Sequence, residues 1–397
     1  MGIAAKRRPV RERNRQRAGE GRERSGEESS ASLRSFRRRQ PLPEESRLGC
    51  AVSADLLSVR DLTVSFRTER GTVRALFGVS FSLSPGETLG LVGESGCGKT
   101  VTALSLLKLI PSPPAVIEGG NAFFRGRDLL PLPEDGMCEV RGKEISMIFQ
   151  EPMTSLNPVL TIGDQVAEVF TAHRTCGKKE AAARAVTWLR RVKMPDPERR
   201  AREYPHQMSG GMRQRAMIAM ALALEPALLI ADEPTTALDV TIQAQILSLL
   251  GEMREQQRMA ILLITHDLGV VSEFAERVAI MYLGRIVEIA GTADLFADPV
   301  HPYTQGLLRS LPGRRTGERR LPSIPGTVPD LDAIPPGCPF ADRCPFRQEA
   351  RARFRAGETE RDYLTVCDRV DPPLEEYAPG HQSACHHQRK VRKGDAG

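Results

Sequence analysis

No apolar run in this 397-residue chain approaches the ~20 residues that cross a bilayer. The N-terminus also lacks the apolar core of a secretory signal. These absences lead us to expect a cytoplasmic protein whose contact with any membrane comes through partners. Paired C-x₂-C spacing is missing as well, although there are eight cysteines. In a cytoplasmic chain they point to thiols or metal ligands, not to a disulfide framework. There is no acidic excess: the net charge is +6 and the pI about 9.0, with much of the surplus in the first fifty residues, a weak pointer to nucleic acid. What remains is ordinary, 40% hydrophobic and 27% charged, with room for two or three domains.

The most informative stretch is LGLVGESGCGKT, Leu89 to Thr100. A short apolar run, a glycine-rich loop and then a helical pattern, VTALSLLKLI, is the context a phosphate-binding loop needs. Gly93, Gly96 and Gly98, with Glu94, Ser95 and Cys97 between them, let the backbone bring its N–H groups to phosphate oxygens. The positive end of the following helix faces the same anion. Lys99 can reach the β- and γ-phosphates, and the Thr100 hydroxyl can ligate Mg²⁺. The chain therefore binds a nucleotide.

Around this loop the chain alternates. Residues 1–54 are rich in Arg, Glu, Ser and Gly without apolar periodicity, as a disordered basic extension would be; Val52 is a candidate for the true start. LLSVRDLTVSF reads as a strand ending at Phe66, an aromatic that can stack on an adenine ring or simply pack. TERGTVRAL reads as a charged turn, and Ser84 to Glu87 as a turn between two further strands. GGNAFFRGRDL and EISMIFQ are strand-like, the second ending in Gln150; residues 160–205 turn helical, with Trp188 and Leu189 on the apolar face. Met208-Ser209-Gly210-Gly211-Met212 opens a further helix, Ser209 suiting an N-cap and the glycines leaving N–H groups open to an anion. The buried strand Leu228 to Ala231 ends in Asp232-Glu233, and Ile261 to Ile264 is followed by Thr265-His266-Asp267. Acids at such strand ends face a ligand in the crevice of a parallel sheet. AIMYLGRIVEIAG reads as a hairpin with Gly284 at its turn, and TADLFADP as a short helix. The last hundred residues, rich in Pro, Gly, Arg and Cys, suggest an appended module with a thin core. Strands alternating with helices imply an α/β fold with a mostly parallel sheet.

Taken together, these groups resemble the ATP-binding subunits of ABC transporters, over roughly residues 55–390. GESGCGKT resembles the Walker A loop, MSGGM the signature segment, LLIADEP the Walker B strand and Thr236 to Asp239 the D-loop; Gln150 and His266 stand where the Q-loop glutamine and the switch histidine belong. FQEPMTSLNP, YPHQMSGGMRQR, HPYTQGLL and GCPFADRC look like the oligopeptide/dipeptide importer group, some of whose members carry nickel or glutathione. The resemblance implies a P-loop ABC-type ATPase: a mostly parallel core sheet, an antiparallel β subdomain, a helical subdomain at about 151–225 within an ATPase domain of 55–300, a small Cys/Pro-rich C-terminal module at 301–390, and a tail, 391–397. It also implies a head-to-tail ATPase pair working with a homologous second ATPase, two transmembrane permeases and an extracytoplasmic binding protein, at the cytoplasmic face of a bacterial membrane. The alternative, a soluble ABC-type ATPase acting on nucleic acid or ribosomes, is disfavoured. Long coiled-coil insertions are missing between the Walker motifs, and there is one Walker A loop, not two.

Role by role, the resemblance assigns Lys99 and the loop N–H groups to the β/γ-phosphates, and Thr100, Asp232 and Gln150 to Mg²⁺. Glu233 becomes the general base and His266 the γ-phosphate contact. Ser209, Gly210 and Gly211 complete the partner's site, and Asp239 lies at the dimer seam. Four cysteines, Cys338, Cys344, Cys367 and Cys385, fall in the C-terminal module with spacing C-x₅-C-x₂₂-C-x₁₇-C. In a loop-rich segment they suggest a metal staple. Their spacing is not that of common zinc folds, while four thiolates suit an iron–sulfur cluster; His386 and His387 keep zinc as a rival. Resemblance to importer subunits that hold a [4Fe–4S] cluster there favours iron.

Overall fold

The computed structural model describes residues 55–69, 71–151, 155–236, 238–311, 324–348 and 366–388. The basic N-terminal extension and the tail at 391–397 lie outside the described residues. In chain order the elements are β1 (Leu57–Thr68), β2 (Gly71–Leu83), β3 (Thr88–Val92), α1 (Lys99–Leu106), β4 (Ala115–Phe124), β5 (Arg127–Asp128), α2 (Glu134–Val140) and β6 (Ile145–Ile148). There follow α3 (Ile162–Ala172), α4 (Lys178–Arg191), α5 (Pro197–Arg200), α6 (Gly210–Leu222), β7 (Leu228–Asp232), α7 (Val240–Gln257), β8 (Ala260–Thr265) and α8 (Leu268–Phe274). The chain closes with β9 (Arg277–Tyr282), β10 (Arg285–Gly291), α9 (Thr292–Ala297), α10 (Pro302–Arg309), β11 (Glu375–Ala378) and β12 (His381–Ser383).

Two sheets result. An antiparallel one runs β2-β1-β4-β5. The larger runs β11-β12-β10-β9-β3-β8-β7-β6, and its members from β9 to β6 are parallel. Side chains alternate across a strand, so a strand covered on both faces must be apolar throughout. In β8, Ile261 and Leu263 enter one core, with α3, α4, α6 and α7, while Leu262 and Ile264 enter the other, shared with α1 and the antiparallel sheet. Trp188 and Leu189 are buried in the helical core as their periodicity predicts, and Arg191 lies over the Trp188 ring at 4.7 Å.

The charged stretch after β1 differs from the sequence expectation: β2 begins at Gly71 and runs through it, Arg67 pairing with Thr72 and Ser65 with Arg74. An edge strand points every second residue at solvent, so Thr72 and Arg74 fit there while Ala75 and Leu76 are buried. The hairpin at 278–291 forms as expected, Leu283 and Gly284 both taking positive φ at its turn. At its outer edge β10 gains β12, Glu288 aligning with Ser383, so residues near the C-terminus extend the main sheet.

Candidate nucleotide site

The loop between β3 and α1 closes tightly. A Cβ on Gly93 would lie 2.2 Å from the Met281 carbonyl oxygen, and Gly98 has φ 105° with Leu76 and Met281 against it, so neither position tolerates a side chain. Lys99 is 5% exposed, and its ammonium donates to the carbonyls of Gly93 at 2.9 Å and Glu94 at 3.1 Å. The cation is thus held over the loop. Gly98 caps α1 without a side-chain bond, leaving the first-turn N–H groups directed at whatever the loop encloses. Cys97 is buried beside Lys99, and burial raises its thiol pKa.

Asp232 ends β7, 1% exposed, and its Oδ1 has no hydrogen-bond partner. Burial raises its pKa, opposed by a hydrogen bond from Thr100 and by Lys99. A buried carboxylate oxygen without a partner, next to a threonine hydroxyl, is a donor set fitted to a hard divalent cation such as Mg²⁺. Glu233 leaves the strand in left-handed backbone, φ 47°. That conformation turns its carboxylate toward three side chains from separate segments. Gln150 Nε2 donates to Oε2 at 3.2 Å, Thr236 Oγ1 donates to the same oxygen at 2.8 Å, and His266 Nδ1 faces Oε1 at 3.3 Å. Burial pushes the Glu233 pKa up, but the bonds from Thr236 and His266 and the charge of Lys99 outweigh it, and the group is held below the usual carboxylate range. The sequence places Gln150, Glu233 and His266 on three strand ends; the structure brings them into one polar knot.

Comparison with known proteins decides which family the chain belongs to. Residues 76–236 match the ABC transporter family model, and residues 287–350 match the oligopeptide/dipeptide transporter C-terminal region. The chain is 54% identical to the probable peptide ABC transporter ATP-binding protein y4tR of Sinorhizobium fredii, over 85% of this chain and 96% of that one. It is 49% identical to the dipeptide transport ATP-binding protein DppD of Bacillus subtilis, over 86% and 98%. This chain belongs to the ABC transporter ATP-binding family. Among solved structures it is similar to a dimeric ATP-binding cassette in a post-hydrolysis state bound to ADP and Pi, with a TM-score of 0.54 and 26% identity over 59% of this chain and 98% of that one. The ABC ATPase fold expected from the sequence is the fold observed.

The other segments that resemble family motifs lie elsewhere on the fold. Ser209 caps α6, its hydroxyl accepting from the Met212 N–H at 3.3 Å. Side chains at Gly210 and Gly211 would meet Leu238 and Ile242, so the signature segment leans on the start of α7. Asp239 is the N-cap of α7, accepting from Ile242 N–H at 2.9 Å. Gln214 of α6 donates to the Pro234 carbonyl at 2.6 Å, tying the signature helix to the segment that carries Glu233. Phe66 sits half-buried near the end of β1, paired with Val73 and Ala115 and packed on the core under the antiparallel sheet.

In the C-terminal region, Cys338, Cys344, Cys367 and Cys385 line one cavity together with His386 and His387. Burial raises the thiol pKa of Cys338 to about 12 and of Cys367 to about 11, with the neighbouring thiols adding to both, and burial likewise raises Cys385. Among the described residues no group of three or more His, Cys, Asp or Glu side chains is arranged to hold a metal ion. Sequence reasoning missed Thr236, Tyr303 and Arg343 as neighbours of the site. Thr236 lies three residues past Glu233 and was within reach of a turn argument. The other two are more than two hundred residues from the loop they touch, and no local pattern signals them.

Proposed function

We propose that this chain is the ATP-hydrolysing, energy-coupling subunit of a bacterial importer for di- and oligopeptides. It works at the cytoplasmic face of the cell membrane with a homologous second ATPase, two permease subunits and an extracytoplasmic solute-binding protein. No described helix is long and apolar enough to cross the membrane, so the permeases provide the passage. The observation that carries the reading is the meeting of Gln150, Glu233 and His266 beside the Lys99 loop, in a chain with a peptide-transporter C-terminal region.

Lys99 exchanges the two loop carbonyls for β- and γ-phosphate oxygens, and the loop N–H groups, from Gly93 through Glu94, Ser95, Gly96, Cys97 and Gly98, line the rest of the polyphosphate. Thr100, Asp232 and Gln150 would hold Mg²⁺, which would supply charge neutralisation at the phosphates. Glu233, kept ionised by its partners, accepts a proton from water as the water oxygen bonds to the γ-phosphorus and the bond to the bridging oxygen breaks, leaving ADP and phosphate. His266 contacts the γ-phosphate, and adenine meets the part of the Phe66 ring that is not packed on the core. Ser209, Gly210 and Gly211 serve the nucleotide held by the second ATPase, with Asp239 at the seam.

The cysteine cavity supports a [4Fe–4S] cluster held by Cys338, Cys344, Cys367 and Cys385. The four thiols line one cavity, and four thiolates suit such a cluster. Such a cluster would tie together segments that lie far apart in the chain. Anaerobic purification tests it: iron with acid-labile sulfide is expected, and stoichiometric zinc, or freely titratable thiols in folded protein, contradicts it. The transport reading is tested in proteoliposomes holding both ATPases and the permeases, with binding protein outside and MgATP inside. Peptide uptake that needs ATP supports it; ATP hydrolysis indifferent to peptide-loaded binding protein contradicts it.

A further inference from the structure

Glu94, the second residue of the phosphate loop, is gripped from the far end of the chain. Its backbone N–H donates to the Tyr303 hydroxyl at 3.0 Å. Its carboxylate takes both arms of one guanidinium, Arg343 Nη1 at 2.7 Å from Oε2 and Nη2 at 3.1 Å from Oε1. Arg343 is itself fixed: it is 5% exposed, its Nε donates to the Pro325 carbonyl at 3.1 Å, and it lies against the rings of Tyr282 and Phe340. Tyr303 is fully buried, 4.7 Å from the Tyr282 ring centre. A two-armed Arg–carboxylate pair is both strong and directional.

The consequence is electrostatic as well as geometric. The Glu94 carbonyl receives the Lys99 ammonium at 3.1 Å, so the Glu94 carboxylate belongs to the residue that seats the phosphate-binding cation. Left unpaired, that negative charge would repel a triphosphate entering the loop. We infer that Arg343 is a positioning residue of the ATP site: by neutralising and pinning Glu94 it sets the loop's affinity for MgATP, so that the C-terminal region tunes nucleotide binding. The inference rests on the ATPase reading above.

The test is fluorescent-ATP titration with Mg²⁺ on the purified full chain, with thermal unfolding followed in parallel. Arg343→Met should weaken binding about tenfold, or about 1.4 kcal/mol, and the deficit should shrink in high salt, which screens the exposed charge. Adding Glu94→Gln should restore affinity to within about threefold of wild type, because the repelling charge is gone. Should Arg343→Met fail to fold, Arg343→Gln replaces it, with about the same loss expected and relief again by Glu94→Gln. Arg343→Met binding within twofold of wild type, or a double variant as weak as the single one, overturns the inference. Such a result would leave Arg343 a structural tether that moves only the unfolding temperature. Wild-type chain that binds no MgATP instead overturns the ATPase reading itself.

Discussion

The crevice at the ends of β3, β7 and β8 and the C-terminal region beside it place their polar groups differently. In the crevice each group sits on a short segment that leaves a buried parallel strand: Lys99 after β3, Asp232 and Glu233 at β7, His266 after β8. The sheet sets their spacing, and both of its faces are covered by apolar cores. In the C-terminal region, Tyr303, Leu308 and Phe340 join the apolar core, and buried polar contacts between distant parts of the chain add to it. Glu288 is fully buried in β10 and accepts from the N–H groups of Val300 and His301 and from the His381 ring at 2.7 Å. Cys338 N–H donates to the Cys367 carbonyl across the cysteine cavity. Changes in the crevice should therefore cost chemistry and spare the fold, while changes in the C-terminal region should spare the chemical step and cost the fold or, at Arg343, the affinity of the loop.

The largest effect that would sharpen this contrast is expected from Glu233→Gln. Turnover should fall about 10²- to 10⁴-fold, the usual worth of a general base, while MgATP affinity and unfolding temperature stay near wild type. Steady-state rates and calorimetry check it, and a coincident loss of stability would erase the distinction. Next comes Glu288→Ala, which leaves the two N–H groups and His381 unpaired in the interior. A loss of about 3–5 kcal/mol is expected, read by denaturant unfolding. A loss below about 1 kcal/mol would show that these buried contacts do not hold the region. Smaller is Lys99→Ala, which removes charge-assisted bonds worth about 1.5–3 kcal/mol and should weaken MgATP binding about 10- to 100-fold. The smallest effect belongs to a chain starting at Val52: residues before it have too little apolar content to offset ordering entropy. Stability and transport should be unchanged, and lost transport at normal expression would give the arginine-rich segment a function.

The same contrast explains what could be read from sequence. The crevice was legible because strand, turn and acid are consecutive, so Asp232, Glu233 and His266 could be placed on strand ends from apolar runs alone. The hairpin at Gly284 was legible for the same local reason. The start of β2 was not, because an edge strand tolerates the polar residues that otherwise mark a turn. Arg343 and Tyr303 were invisible, since partners 249 and 209 residues apart leave no periodic trace. The four cysteines fall between: composition singled them out, and their convergence needed the fold.

The central claim is that one chain holds only half of each ATP site, the loop at Lys99 facing one nucleotide and Ser209, Gly210 and Gly211 serving another. The ATPase rate per chain, measured on the purified protein across a wide concentration range, tests this most directly. The account predicts a very low rate at dilution that climbs with concentration, or on addition of the homologous ATPase. A high rate per chain, unchanged with concentration in a preparation shown to be monomeric, would contradict it.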